Sequence, residues 1–433
     1  MKLIEADVLV VGAGPAGIAA CCRLVEAGRK VLWIDQQPRP GGQVWRAGLP
    51  PREAARLAAA EGLLLQRLGR HTVFAAESPR ELLLHDLQNP TAPSLCVRAP
   101  QLLLALGARE RFLPFPGWTL PGVHGAGGLQ ALIKNGWPIA GQRLVLAGSG
   151  PLLLAAADTA RAAGADLALI AEQAPARALL AFAAGLPFPK LSQAAGLRWR
   201  LRGLPYRAGC WVTRAIHANG TQRLEAVELS DGKRQWQEPC DALGIGYGLL
   251  PNTELAELLG CKIEADAIAV DARLQTSLEN VYAAGECTGI GGMDKAWIEG
   301  ELAALQMLGA AADARLQGRH RAALAFAARL ARHFALRPEL LHLAEADTLI
   351  CRCEDVSLGA LRAQRGWREA KLQTRCGMGA CQGRICGPIA RQLLGWEEEA
   401  RGRPRAPLQP LPVGALLLSR GCASDPTAAA PPP

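Results

Sequence analysis

The 433-residue chain is short of aromatic residues, at 5% of the total, and has only seven histidines. Those histidines show neither two-His, one-carboxylate spacing nor a pair one helical turn apart, so a histidine-held metal is not expected. No Gly-x-Ser-x-Gly elbow is present, which removes the commonest serine-hydrolase arrangement. No apolar run reaches the roughly 20 residues of a membrane-spanning helix. Glu5 and Asp7 stand where a secretory leader would carry basic residues and then an apolar core. These absences predict a cytoplasmic chain whose 13 cysteines stay thiols or metal ligands rather than pairing as disulfides. The net charge of +9 comes mostly from arginines scattered among acids, not from a basic stripe. Nucleic acid is therefore not an expected partner, whereas an acidic partner protein remains compatible.

What the chain has in abundance is Ala, Leu and Gly, with half its residues hydrophobic, a composition of α/β proteins with tight glycine turns. The pattern predicts two Rossmann-like dinucleotide-binding domains and a small helical C-terminal domain. The first spans 1–115 and 246–310, and a second is inserted at 116–245. A helical linker follows at 311–345, a cysteine-bearing domain at 346–396 and a Pro-rich tail at 397–433, its last few residues expected to be disordered. The stretch between the first helical unit and Leu102 is rich in Leu and Arg without a clear period.

Gly12-Ala13-Gly14-Pro15-Ala16-Gly17 follows the apolar run Val8 to Val11 and opens a helical pattern through Ala27. Gly12 permits the tight turn, Gly14 admits a pyrophosphate to the backbone and Gly17 lets helix and strand pack closely, while the helix N-terminus offers amide donors. A strand then ends at Asp35, whose carboxylate suits ribose hydroxyls and repels a 2′-phosphate. Gly41-Gly42-Gln43 forms another close-approach loop. The second pattern, Gly148-Ser149-Gly150-Pro151-Leu152-Leu153, has Leu153 where the third glycine belongs, which is expected to push the helix away from its strand. Glu172 ends the next strand and favours NAD over NADP if a nicotinamide binds there. The turn serves the fold with or without a ligand, so an NAD site and a structural relic are both compatible with it.

Five cysteines fall within thirty-six residues: Cys351, Cys353, Cys376, Cys381 and Cys386. Four thiolates hold a [2Fe–2S] or [4Fe–4S] centre, and glycines around the last pair let amides point at sulfur. A structural four-cysteine zinc site uses the same ligands, though Cys-x-Cys fits its usual paired spacing less well. One of the five is spare. Cys21 and Cys22, adjacent on a predicted helix, read as core or surface thiols. The basic amphipathic stretch Arg315 to His333 is expected to pack on the first dinucleotide-binding domain rather than lie on a membrane.

The motifs at 12–17, 41–43, 105–108, 148–151 and 283–286 resemble those of the two-dinucleotide-domain flavoproteins that include thioredoxin reductase-like enzymes. That resemblance implies FAD in the first site, with Gly285 and Glu286 at a ribityl hydroxyl and the next helix aimed at the flavin ring. Two departures stand out: Ala105-Leu106-Gly107 replaces Ala-Thr-Gly, and the redox-active Cys-x-x-Cys is missing, so disulfide reduction is not expected. The cysteine segment is similar to the bacterioferritin-associated-ferredoxin type of [2Fe–2S] domain, which implies Cys351, Cys353, Cys381 and Cys386 as ligands and leaves Cys376 over. A flavoprotein of this plan with this ending is similar to the α subunits of dye-linked multi-subunit dehydrogenases: opine oxidases, D-hydroxyproline and proline dehydrogenases, and cyanide-forming glycine dehydrogenase. The resemblance implies two partners, an amine-oxidising flavoprotein (the β subunit) and a small ferredoxin-like subunit, with the respiratory chain at the inner membrane as electron acceptor. In some members FMN lies at the subunit interface, and in some an adenine nucleotide replaces FAD in this subunit. No catalytic residue is assigned. A stand-alone NAD(P)H-dependent reductase and a non-catalytic nucleotide- and metal-binding scaffold are the alternative readings.

Overall fold

The computed structural model describes residues 2–62, 64–217, 222–396 and 404–417. Two compact units emerge: one from 1–108, 251–324 and the described residues 404–417, the other from 109–250 and 325–396. Both are α/β units built on a five-stranded sheet.

In the first unit the parallel strands run in the order Val281–Ala283, Gln101–Leu104, Val8–Val11, Val31–Asp35 and Leu65–Gly69. Alternate side chains point to opposite faces, so the all-apolar run Val8 to Val11 is buried on both sides. Val8, Val10 and Trp33 meet helices Pro15–Glu26 and Met293–Met307 on one face. Leu9, Val11 and Ile34 meet Leu82, Leu84 and Val97 on the other. Each such fully buried side chain contributes roughly 1.5–3 kcal/mol of transfer free energy.

The stretch without a clear period contains helix Pro51–Ala60 and the antiparallel strands His71–Ser78, Glu81–Asp86 and Leu95–Arg98. Leu82 to His85 are buried on both faces, so alternation, the usual mark of a strand, is absent there. The Pro-rich tail also has structure: Leu408 is buried and donates its amide to the Phe74 carbonyl at 2.8 Å, and Val413–Leu417 is helical. Its last residues lie outside those described.

The second unit's parallel sheet runs Val123–Gly125, Ala242–Gly246, Arg143–Gly148, Asp166–Glu172 and Tyr206–Ala208. One face packs on helices Ala126–Lys134 and Leu152–Ala162. The other continues without a break into Val212 and Val227 of an antiparallel meander and into Ile350, Leu361, Trp367 and Ile389 of the cysteine segment. The cysteine segment thus shares its core with the second Rossmann sheet. Of helix Ala314–His333, Leu316 is buried in the first unit; in the second unit Phe326 faces Phe182 at 6.0 Å.

Candidate functional site

The first glycine loop is held by contacts that only glycine permits. Gly12 has φ 113°, and a Cβ there would lie 2.1 Å from the Ala105 carbonyl oxygen. At Gly17 a Cβ would lie 1.9 Å from the Gly12 carbonyl oxygen. Around Gly14, by contrast, a Cβ would meet nothing within 4 Å. The helix begins immediately afterwards, with Pro15 at its first position, so its first-turn amides, which have no partner within the helix, lie beside that open space. Gly42 leans onto Gly14, its would-be Cβ 2.9 Å from the Gly14 Cα, and Gln43 accepts from Arg46 at 2.7 Å.

Asp35 sits at the end of its strand, half-buried, and accepts from the Ala13 amide at 2.5 Å and the Gln37 amide at 2.6 Å. Burial raises its pKa and those two amides oppose the rise. Across the loop, Glu286 accepts from the amides of Gly291 and Gly292 at 3.1 and 2.6 Å. Its pKa is raised by the same burial. Strand, glycine loop, helix start and two acids therefore converge on one open cradle in the first unit. The residues fit a dinucleotide: space lies over Gly14 where a pyrophosphate would sit, at the start of a helix.

The second loop has the same outline and a different content. Gly150 is covered by the ring of Phe334, whose carbons lie 3.8 Å from a would-be Cβ. The Ser149 hydroxyl donates to the Phe334 carbonyl at 3.2 Å, and the Gln173 amide nitrogen donates to the Ala335 carbonyl at 3.0 Å. The Arg337 amide closes the contact by donating to the Gln173 side-chain oxygen at 3.1 Å. Glu172, expected at a ribose, is fully buried and accepts from Gly150 at 2.7 Å and Ala174 at 2.8 Å. Burial pushes its pKa up to about 7. Leu153 is buried at the start of helix Leu152–Ala162 and lies over Gly246 of the adjacent strand, whose would-be Cβ is 3.6 Å from a Leu153 methyl.

The thiols gather in the second unit. The sulfurs of Cys351, Cys376 and Cys386 lie within 4.8 Å of one another and all three residues are buried. Cys381 is half-buried beside them and Cys353 is exposed. Hydrogen bonds from Cys376 and then Cys386 hold the Cys351 thiol down to about 2, and bonding to Cys351 pushes Cys376 up to about 12. Cys381 is lowered to about 5, first by Cys386 and also by the Ile385 and Gly383 amides. Gly379 lets the loop close on Cys353, where a Cβ would come 2.3 Å from the Cys353 Cβ. Cys376, expected to be left over, thus stands inside the cluster, and Cys353 at its rim. An all-sulfur donor set with backbone amides aimed at it fits an iron–sulfur centre as well as zinc.

A family model described as pyridine nucleotide-disulphide oxidoreductase matches residues 6–307. The chain belongs to this family. An opine oxidase subunit from Rhizobium meliloti (strain 1021) is 35% identical to this oxidoreductase, over 94% of this chain and 97% of that protein. Hydrogen cyanide synthase subunit HcnB from Pseudomonas protegens is 32% identical, with the same two coverages. Among solved structures, L-proline dehydrogenase from P. horikoshii superposes with a TM-score of 0.66 at 18% identity, over 96% of this chain and 80% of that one. That likeness is one of fold. No helix among the described residues of this oxidoreductase is long and apolar enough to cross a membrane.

Several site residues of this oxidoreductase escaped the sequence reading. Phe334 lies 184 positions from the loop it covers, and no local pattern marks it. Lys295 and Glu299, both buried beneath the Gly285–Glu286 turn, leave one trace: a Lys and a Glu four apart in a helix that is otherwise mostly apolar on that side. Cys21 and Cys22 are both fully buried, and burial raises the pKa of each.

Proposed function

We propose that this chain is the electron-transferring flavin and iron–sulfur subunit of a heteromeric dehydrogenase. Its partner, a separate flavoprotein subunit, oxidises the C–N bond of an amino acid, imino acid or opine, and the electrons leave to an acceptor other than NAD. The observation that carries this reading is the contrast between the two cradles: the first is open and built for FAD, while the second is filled by residues 334–337 of the same chain. A member of this family that cannot seat a nicotinamide needs another electron donor, and its relatives bear the names of opine oxidase and hydrogen cyanide synthase subunits.

The chain's own residues would divide the work between the two sites. Gly12, Gly14 and Gly17 with the following helix start would hold the pyrophosphate, Asp35 the adenosine ribose, and Glu286 a ribityl hydroxyl. Cys351, Cys353, Cys381 and Cys386 would hold a [2Fe–2S] centre, with Cys376 as a buried neighbour donating to Cys351. A bound flavin can accept electrons in pairs and release them singly, and an iron–sulfur centre carries them one at a time.

The test is an anaerobic titration of the full chain purified with its co-expressed partner. Flavin bleaching by an amino-acid or opine substrate but not by NADH is the expected result. Prompt bleaching by NADH would make the chain a stand-alone reductase and overturn the proposal. Metal analysis tests the thiol site: iron with acid-labile sulfide is expected, and zinc without visible absorption would favour a scaffold role.

A further inference from the structure

Helix Met293–Met307 carries a lysine and a glutamate where a helix core ordinarily carries neither. Lys295 is 3% exposed and Glu299 2%, one helical turn apart, with the Lys295 Nζ 2.9 Å from the Glu299 Oε2. Burying an ion pair is costly and often adds no net stability, so its presence asks for a role. The hydrogen bonds indicate one. Lys295 Nζ donates to the Gly285 carbonyl at 2.9 Å and to the Thr288 hydroxyl at 2.8 Å, which together with Glu299 uses all three of its donors. Glu299 Oε2 accepts from the Gly285 amide at 2.8 Å, and the Glu299 Oε1 faces the His320 Nε2 at 3.2 Å.

Both faces of the Gly285 peptide environment are thus gripped from behind by one helix. Gly285 has φ 94° and ψ −147°, a conformation that only glycine adopts readily, and it sets the direction of Glu286. Burial would push Glu299 up, but His320, Lys295 and the Gly285 amide outweigh it and hold its carboxyl below the ordinary value, so the pair stands as two opposite charges. Both charges also act on Glu286, in opposite senses.

We infer that Lys295 and Glu299 are a positioning pair that fixes the Gly285–Glu286 turn against the flavin and, through their balanced charges, sets its reduction potential. This rests on the reading of the first cradle as a flavin site. Reduction adds negative charge to a flavin, so an unbalanced buried cation nearby favours it and an unbalanced anion opposes it. The sign of the shift therefore depends on which partner is removed.

The experiment compares full-length wild type, Glu299→Gln and Lys295→Met by FAD titration and by spectroscopic redox titration of the bound flavin. Lys295→Met, which loses the bonds to the Gly285 carbonyl and the Thr288 hydroxyl, should weaken FAD binding about thirtyfold, and Glu299→Gln, which keeps an acceptor oxygen for the Gly285 amide, about fivefold or less. The midpoint potential should rise in Glu299→Gln and fall in Lys295→Met, and Lys295→Arg should restore both readings toward wild type. If Lys295→Met does not fold, Glu299→Gln still gives the predicted rise in potential and Lys295→Arg the predicted near-wild-type reading. Equal potentials in all variants, or shifts of the same sign, would overturn the inference while leaving the flavin site standing. A wild-type chain that binds an adenine nucleotide without flavin in the first cradle would overturn both.

Discussion

The two glycine loops start from nearly the same residues, Gly-Ala-Gly-Pro at 12–15 and Gly-Ser-Gly-Pro at 148–151, and end in opposite states. Over Gly14 there is open space; over Gly150 stands Phe334. Asp35 and Glu172 each accept from an amide of the glycine loop and from the amide two residues on, but Asp35 remains half-buried at the rim of its cradle, whereas Glu172 has no exposed surface. The lesson is that a βα turn survives because the sheet needs it, while ligand binding survives only where nothing else of the chain settles on the free helix start. In the second unit the feature that sets it apart is the group of thiols sharing that unit's core.

The most drastic way to test that division is to remove the thiol site. Cys381→Ser should lose iron and labile sulfide altogether, because serine oxygen is a poor substitute for a thiolate at an iron–sulfur centre. Cys376→Ser should keep both, since four thiols remain after its removal. Iron and sulfide per chain, read with the visible spectrum, decide between these outcomes, and loss of the centre in Cys376→Ser would make that residue a ligand.

Closing the first cradle should come next in size. Gly14→Leu places a side chain in open space, at a φ of −79° that any residue tolerates, so the fold should stand while the pyrophosphate position is filled. Flavin affinity should fall about a hundredfold, equivalent to about 3 kcal/mol. Flavin content on isolation and a thermal melt separate this from unfolding. An unchanged flavin content would place the cofactor elsewhere.

A pH titration distinguishes the two acids. Glu172 is held near 7 against an ordinary value of 4.5, so between those values the folded chain keeps a proton that the unfolded chain has released. Stability should therefore fall as pH rises from 4.5 to 7 and level off above, by about 3 kcal/mol in all from this group. Glu172→Gln should flatten that part of the profile relative to wild type in denaturant melts at a series of pH values. A parallel profile in the variant would mean that Glu172 is ionised throughout.

How much of this was readable beforehand varies with the range of the interactions involved. The first cradle was legible because its parts, Val8 to Val11, the glycine loop, the helix and Asp35, lie within thirty residues and each has a local signature. The thiol cluster was legible as a density of one residue type, but not which sulfurs meet, since that depends on how Cys376 and Cys386 return to Cys351. The strand Glu81–Asp86 was hidden by burial on both faces, which erases alternation. Glu172 was legible as an acid at a strand end, yet its direction is set by the amides of Gly150 and Ala174 and by what covers them. Those are tertiary facts.

The covering segment itself gives the smallest effect and the sharpest reading of the comparison. Phe334 is half-buried, with its ring edge-on to Phe182 at a centroid distance of 5.0 Å, so Phe334→Ala should cost about 2 kcal/mol of stability, less than a fully buried phenylalanine. Uncovering Gly150 should still not let NADH reduce the flavin. Glu172 has no exposed surface, and the Ala335 and Arg337 backbone would still hold Gln173 over the loop. Anaerobic NADH titration of the variant checks this directly. If bleaching appeared on removing one ring, Phe334 would be a removable cover over a competent nicotinamide site, and the second cradle would differ from the first by a single side chain rather than by its whole lining.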